Sequence, residues 1–176
     1  METKISNKYI KVLEYFFNYP NKSTYIRELS KEIGVSHTWV RRIINDLIKK
    51  GILIGGKKIV FSIKANKDFD NYKRYKRTYN LYKVYSSGLL DYLIEEYSNP
   101  EAIILFGSYS YGEDNEKSDI DISIISYKKQ NIVFEKFEKK LKRKISIHEF
   151  EPNNITEEFL NTLANGIILY GYLNSK

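Results

Sequence analysis

The sequence contains no cysteine and few of the residues that mark disordered or membrane-spanning chains. With no cysteine among its 176 residues, disulfides, thiolate metal sites and cysteine nucleophiles are excluded. Three prolines and nine glycines are too few for a low-complexity chain. No apolar run approaches the roughly 18 residues of a membrane span, and residues 1–7 are too polar to lead a signal peptide. We therefore expect a cytoplasmic protein with no membrane partner.

The charges are distributed unevenly along the chain, although the total is only +7. Residues 1–83 contain 19 Lys and Arg against 7 Asp and Glu, whereas residues 84–176 contain 10 against 15. A chain of this length can hold one domain or two small ones. The basic first half and the acidic second half predict two functions, the binding of a polyanion and a chemistry that uses carboxylates.

The first half contains three apolar patterns of helical spacing. The first begins near Lys8 and stops at Tyr19-Pro20. The second is predicted to start with Thr24 as its N-cap and to end at Gly34. Ser36 then caps a third helix, whose apolar residues are spaced to face inward. A short turn between two such helices predicts a helix-turn-helix.

Two strands are predicted after the third helix. Residues 52–54 and 57–63 are apolar segments separated by Gly55-Gly56, which is typical of a hairpin turn. Three helices followed by a hairpin make a winged helix, and residues 28–47 resemble the winged helix-turn-helix of prokaryotic regulators. The resemblance covers about residues 5–66.

This resemblance implies duplex DNA as a partner, contacted by the first turns of the third helix and by the wing. The candidate contact residues are Ser36, His37, Thr38, Arg41, Arg42, Lys57 and Lys58. Because winged helices often bind paired half-sites, a homodimer is also expected. Winged helices serve elsewhere as dimerisation or protein-docking modules, but the net charge of +12 over residues 1–83 favours DNA.

Residues 67–98 connect this domain to the rest of the chain. Their apolar and aromatic residues recur at helical steps and predict one long helix, or two that are interrupted near residues 86–88. The segment 73–77 mixes basic and aromatic residues as nucleic-acid surfaces do, or else belongs to a helix that packs its tyrosines and exposes its cations. The domains are therefore predicted as 1–66 and 99–176, with the first helix of the second domain beginning at about residue 85.

The second half carries a glycine-serine turn and two spaced aspartates. Residues 102–106 form an apolar strand that ends at Gly107 and Ser108, and Asp119 and Asp121 follow. Alternate residues of a strand share a face, so these two aspartates project together while Ile120 points to the core. Two adjacent carboxylates need a cation between them, and the turn offers backbone N–H groups and a hydroxyl for a phosphate.

The ordered set resembles the signature of the polymerase-beta-type nucleotidyltransferase superfamily, in particular the minimal nucleotidyltransferases of prokaryotes. Ten residues, 109–118, separate Ser108 from Asp119-Ile120-Asp121, as in that signature. The resemblance implies a mixed sheet with flanking helices, so that the whole chain is of the α/β (α+β) class, with a winged helix-turn-helix followed by a nucleotidyltransferase-like domain. It also implies binding of a nucleoside triphosphate, by analogy ATP, with two Mg²⁺ ions on Asp119 and Asp121. The nucleotide-binding residues would be Gly107, Ser108, Gly112 and Ser118.

The family's third carboxylate is not evident. Its strand corresponds to residues 144–150, where alternation places Ser146 and His148 on the metal face and Glu149 on the core side, unless the strand ends or bulges before it. His148 is therefore a catalytic candidate as a base or metal ligand. Alternatively, it is the satisfied partner of a neighbouring group in a domain that has lost turnover.

The resemblance implies an enzyme that transfers a nucleoside monophosphate from a nucleoside triphosphate to a hydroxyl of a protein or small molecule. By analogy with related minimal nucleotidyltransferases, the transferred group would be AMP. One alternative is a DNA-binding transcriptional regulator whose second domain senses a nucleotide without turnover. Another is an antitoxin-like protein whose second domain binds a toxin-like partner protein.

Overall fold

The protein is described here from a computed structural model. It covers the backbone of residues 2–57 and 61–173 and the side chains of residues 7–55 and 62–173. The chain divides into two compact units, Met1–Lys76 and Arg77–Lys176. No helix in the described part of the chain has both the length and the hydropathy needed to cross a membrane.

The N-terminal unit begins with three helices and a two-stranded antiparallel sheet. The elements are α1 (Glu2–Asn18), α2 (Ile26–Ile33), α3 (His37–Lys49), β1 (Leu53–Lys57) and β2 (Phe61–Ala65). The predicted turn at Gly55-Gly56 is wrong, because Gly55 pairs with Ile63 and Gly56 with Ser62 inside the ladder. Glycine is compatible with an extended backbone as well as with a turn. Residues 58–60, and with them the candidate Lys58, lie outside the described residues.

Thr24 is not the N-cap of α2, which begins one residue later with Tyr25 in the capping position. The backbone of Thr24 instead forms a bridge with Ile63, with N···O distances of 2.9 and 2.8 Å. Glu28 supplies the cap, since its Oε2 accepts a hydrogen bond from the backbone N–H of Tyr25 at 3.3 Å. Thr24 is therefore held by strand pairing, although the local sequence predicts it as the N-cap of α2.

Apolar residues of all five elements form the core of this unit, and Tyr72 closes it. Phe16, Leu29, Ile44, Leu47 and Ile63 are fully buried. Tyr72 is buried as well, and its hydroxyl donates a hydrogen bond to the backbone oxygen of Phe16 at 2.9 Å. A polar contact secures α1 on α3 near the surface, where the hydroxyl of Tyr9 donates to Asp46 at 2.6 Å.

The remaining elements alternate between helices and strands. They are α4 (Asp70–Ser87), α5 (Leu89–Glu96), β3 (Ala102–Phe106), α6 (Gly107–Tyr111), β4 (Ile120–Ile125), α7 (Glu135–Leu141), β5 (Ile145–Phe150), α8 (Glu157–Ala164) and β6 (Ile167–Gly171). Of the two arrangements predicted for the connector, the structure has two helices, separated by Gly88. The predicted strand 102–106 is β3.

Four of these strands form a mixed sheet in the order β5-β4-β3-β6. β4 is parallel to β5, whereas β3 is antiparallel to both β4 and β6. The larger core covers one face, where Ile120, Ile122 and Ile124 pack with α5 and α7. The smaller core covers part of the other face, where Ile104, Phe106 and Ile125 pack with α8. Each side chain of β4 and β5 therefore lies on one of these two faces of the sheet.

A buried polar group fixes the segment between α6 and β4. Asp114 and Arg143 form an ion pair at 3.5 Å, with only 1% and 6% of their side chains exposed. Asn80 donates a hydrogen bond to Asp114 at 2.7 Å and another to the backbone oxygen of Tyr109 at 2.9 Å. The segment that leads to Asp119 is thereby attached to α4, to α6 and to the loop between α7 and β5.

We predict that Asp114→Ala lowers the free energy of unfolding by about 3–5 kcal/mol, because it leaves the guanidinium of Arg143 buried without its counter-ion. The measurement is urea denaturation of the full chain, followed by circular dichroism. Glu135→Ala is the matched control, since the Glu135–Lys139 pair is largely exposed and should contribute little. Equal losses in the two variants would contradict the prediction.

Candidate active site

Asp121 is the second residue of β4 and lies at the polar end of the face opposite the larger core. It pairs with Phe106 of β3 and with Ser146 of β5, and 30% of its side chain is exposed. The flanking Ile120 and Ile122 are fully buried on the other face. Asp119 precedes the strand and is exposed. The alternation of β4 thus presents the carboxylate of Asp121 to solvent on the surface opposite its isoleucines.

Gly107 lies directly against this carboxylate. Its φ is +68°, in the left-handed region, and a Cβ built on it would lie 2.5 Å from Oδ2 of Asp121. Both the conformation and the contact require glycine. Gly107 also begins α6, and Ser110 returns a hydrogen bond to its backbone oxygen at 2.8 Å. Ser108 follows Gly107 and is partly exposed. Because Gly107 lies against Asp121, the glycine-serine turn and this carboxylate are neighbours.

The other two nucleotide-binding candidates have internal roles. Gly112 has a φ of +74° and ends α6 with its N–H directed at the last turn of that helix. The hydroxyl of Ser118 accepts a hydrogen bond from the backbone N–H of Asn115 at 3.0 Å. Both residues shape the segment that connects the glycine-serine turn to Asp119.

His148 of β5 lies next to Asp121 on the same face. Its Nε2 is 3.7 Å from Oδ1 of Asp121 and 3.2 Å from the hydroxyl oxygen of Ser146. The imidazole packs edge-on against Phe106, with the ring centroids 5.1 Å apart, and 38% of the side chain is exposed. Aromatic packing therefore orients the ring while its Nε2 remains beside two polar groups.

Glu149 is the only carboxylate of β5 and points to the opposite face. The hydroxyl of Tyr97 donates a hydrogen bond to its Oε1 at 2.5 Å, and the backbone N–H of Gln130 donates to the same oxygen at 3.0 Å. Burial, together with this hydrogen bond, raises the pKa of Tyr97 above its ordinary value. The strand continues to Phe150 without a register shift, so Glu149 does not reach Asp121.

The two aspartates are chemically suited to a hard divalent cation. Asp119 and Asp121 supply carboxylate oxygens, which Mg²⁺ prefers, and this ion commonly takes its other ligands from phosphates and water. Over the described ranges, no three or more His, Cys, Asp or Glu side chains are grouped so as to hold a metal by themselves. An open cavity of about 590 Å³ adjoins Asp119, and its lining mixes basic side chains with the carboxylates of Glu116, Glu135 and Glu138. The basic residues of the lining are Lys117, Lys139, Lys142, Arg143 and Lys144.

Residues 90–173 match the family described as Polymerase beta, Nucleotidyltransferase. The matched segment contains the whole four-stranded sheet and Gly107, Asp119 and Asp121. Its mixed α+β architecture is consistent with a nucleotidyltransferase fold, and the match supports the superfamily assignment that the sequence suggests. Neither the curated proteins nor the solved structures gave a significant match.

The N-terminal candidates are gathered at the start of α3. Ser36, Thr38, Arg41 and Arg42 are exposed, whereas His37 is half-buried. Trp39, whose environment the sequence leaves undecided, is half-buried, with the ammonium of Lys8 4.7 Å and the guanidinium of Arg42 5.6 Å from its ring centroid. Lys57 is the last residue of β1, and its side chain lies outside the described ones. This surface is basic and partly held by cation–π contacts.

Sequence reasoning missed two features of the nucleotidyltransferase domain. Alternation places Ser146 on the correct face but does not reveal its contact with His148. The Asp114–Arg143 pair has no local signature, because Asp114 lies in a polar loop pattern and only tertiary structure buries it.

We predict that Gly107→Ala destabilises the nucleotidyltransferase domain more than Gly88→Ala does. Gly88 has a φ of +82° with nothing within 4 Å of a built Cβ, so its replacement adds backbone strain alone, about 1–2 kcal/mol. Gly107→Ala adds the collision with Asp121. The extra loss in free energy of unfolding caused by Gly107→Ala, relative to Gly88→Ala, should shrink when Asp121 is also replaced by Ala. A double-mutant cycle from urea denaturation measures this difference. An excess that persists unchanged in the Asp121→Ala background would contradict this.

Proposed function

We propose that this protein binds a nucleoside triphosphate with Mg²⁺ and transfers a nucleoside monophosphate, AMP by analogy, to a hydroxyl acceptor. The observation that carries the proposal is the contact between Gly107 and Asp121, which joins a phosphate-binding type of turn to a metal-binding type of carboxylate. The nucleotidyltransferase family match over residues 90–173 supports the same chemistry.

Each residue has a distinct role in this proposal. The backbone at Gly107 and the hydroxyl of Ser108 bind the triphosphate, while Gly112 and Ser118 maintain the shape of the intervening segment. Asp119 and Asp121 hold Mg²⁺, which supplies positive charge to the phosphates when bound. His148 receives the proton of the acceptor hydroxyl at Nε2.

We predict that replacing both Asp119 and Asp121 by Asn abolishes Mg²⁺-dependent binding of nucleoside triphosphates, because the carboxylates and the phosphates need a shared cation. Calorimetric titration of the full chain, with and without Mg²⁺, measures this. Glu157→Gln removes one negative charge from a different element, α8, and should leave the affinity unchanged. Unchanged affinity in the aspartate double variant would refute the site assignment.

A second candidate is a regulator that senses the nucleotide without turnover. It is favoured by the side chains of β5, since Ser146 and His148 occupy the Asp121 face and Glu149 is engaged by Tyr97.

The two candidates differ in pyrophosphate release. Transfer predicts release from ATP, GTP, CTP or UTP by the wild-type chain, whereas sensing predicts binding without release. We predict that His148→Asp increases the release rate, because it restores a third carboxylate beside Asp121. A rate that falls in His148→Asp would contradict this and would favour the imidazole itself as the base.

We propose that the N-terminal unit is a winged helix-turn-helix that binds duplex DNA, as a homodimer on paired half-sites. Three helices followed by an antiparallel strand pair support this, as do the exposed Thr38, Arg41 and Arg42 at the start of α3. The excess of basic residues in the first half supplies the attraction to phosphates. The alternative for this unit is a protein-docking module, whose partner would be another protein instead of DNA.

We predict that Arg41→Ala weakens binding to a duplex selected from a random pool by about 1–3 kcal/mol, with a smaller effect on unrelated duplex. Lys49→Ala, at the other end of α3, is the matched control for loss of a positive charge. Gel retardation over a salt series measures both. Absence of retardation by the wild-type chain at low salt would refute DNA binding and favour the protein partner.

A further inference from the structure

The hydroxyl of Ser146 lies within hydrogen-bonding distance of the His148 imidazole, which is the base in the proposed reaction. The distance from Oγ of Ser146 to Nε2 of His148 is 3.2 Å. When Nε2 carries no proton, it accepts a hydrogen bond from the hydroxyl and can receive its proton. An ordinary surface serine has no such partner, so Ser146 has the setting of an activated nucleophile.

Register places this hydroxyl beside the carboxylate that would hold the metal. Ser146 pairs directly with Asp121 across the parallel β4–β5 ladder, and the two side chains share a face. The Ser146 side chain is partly exposed, so a ligand can reach it.

A second serine on this face provides a contrast. Ser123 pairs with His148 in the same ladder, but it is fully buried and its hydroxyl oxygen has no hydrogen-bond partner within the described structure. Burial excludes Ser123 as an acceptor of a nucleotide. Of the two serines that face His148 from β4 and β5, only Ser146 is both accessible and activated.

We propose that Ser146 is itself an acceptor, so that the protein nucleotidylylates its own chain at this residue. This inference rests on the proposed transfer activity and names its acceptor class, a serine hydroxyl in cis. Oγ of Ser146 attacks the α-phosphorus of the bound nucleoside triphosphate, and a phosphodiester bond forms. The bond from the α-phosphorus to the bridging oxygen breaks, pyrophosphate leaves, and the hydroxyl proton passes to Nε2 of His148.

The reaction limits itself to one nucleotide per chain. A nucleotide attached to Ser146 remains on the face that carries Asp121, and its phosphate occupies the position that the next triphosphate would need. The hydroxyl is also consumed. Pyrophosphate release should therefore stop at one equivalent, which distinguishes self-modification from turnover with an external acceptor.

The test is intact-protein mass spectrometry of the full chain, as purified and after separate incubations with ATP, GTP, CTP and UTP plus Mg²⁺. The expected result is the mass of one nucleoside monophosphate added per chain and mapped to Ser146 by peptide fragmentation. An adduct already present at Ser146 in the purified protein supports the proposal without added nucleotide. Ser146→Ala should lose the adduct completely, and Ser146→Thr should regain part of it.

Ser123→Ala is the matched control, because it removes a hydroxyl from the same face and should keep full modification. An adduct mapped to another residue, or pyrophosphate release with no adduct, would overturn self-modification while leaving transfer to another acceptor intact. If calorimetry shows nucleotide binding but neither pyrophosphate release nor an adduct is found, self-modification is overturned and the sensing candidate is favoured. Absence of nucleotide binding would refute the proposed function together with this inference.

Discussion

The pleat of β4 is the constraint on which the candidate site depends. Its isoleucines at 120, 122 and 124 are buried in the larger core, and this burial fixes the opposite direction for Asp121. A shift of one residue in register would bury the carboxylate and expose the isoleucines, so hydrophobic burial holds the register. Because β4 is bonded to β3 on one side and β5 on the other, the same choice determines which side chains of both neighbours face Asp121.

Local patterns were sufficient to predict most elements but not all of their ends. The apolar run of β3 and the helical spacing of the first unit gave correct elements, since burial on a sheet or helix face leaves a periodic record. Gly55-Gly56 and Thr24 were misassigned because strand pairing with Ile63 and its neighbours decides their conformation. The partner of Thr24 is 39 residues away, so no short window contains it. The partners of the two glycines are near in sequence, but the glycine pair itself is equally compatible with a turn and with a strand.

Sequence patterns likewise predict only part of the candidate site. Alternation alone predicts the faces of Asp121, Ser146 and Glu149, and the structure has them as alternation requires. The contacts do not follow from alternation. The approach of Gly107 to Asp121 arises where β3 ends beside the start of β4, and the engagement of Glu149 depends on Tyr97 from α5. Long-range packing thus decides which polar side chains remain accessible to a ligand and which form internal hydrogen bonds.

The side chains of β5 set the charge balance of the proposed site. With Ser146 and His148 in place of a carboxylate, the face near Asp119 and Asp121 carries two negative charges, which one divalent cation neutralises. A third carboxylate would require further positive charge to remain ionised so close to the others. Ser146 also places a hydroxyl 3.2 Å from the His148 imidazole, which a carboxylate at this position would not provide. Under the proposal, these two side chains of β5 are the nucleophile and the proton acceptor of self-modification.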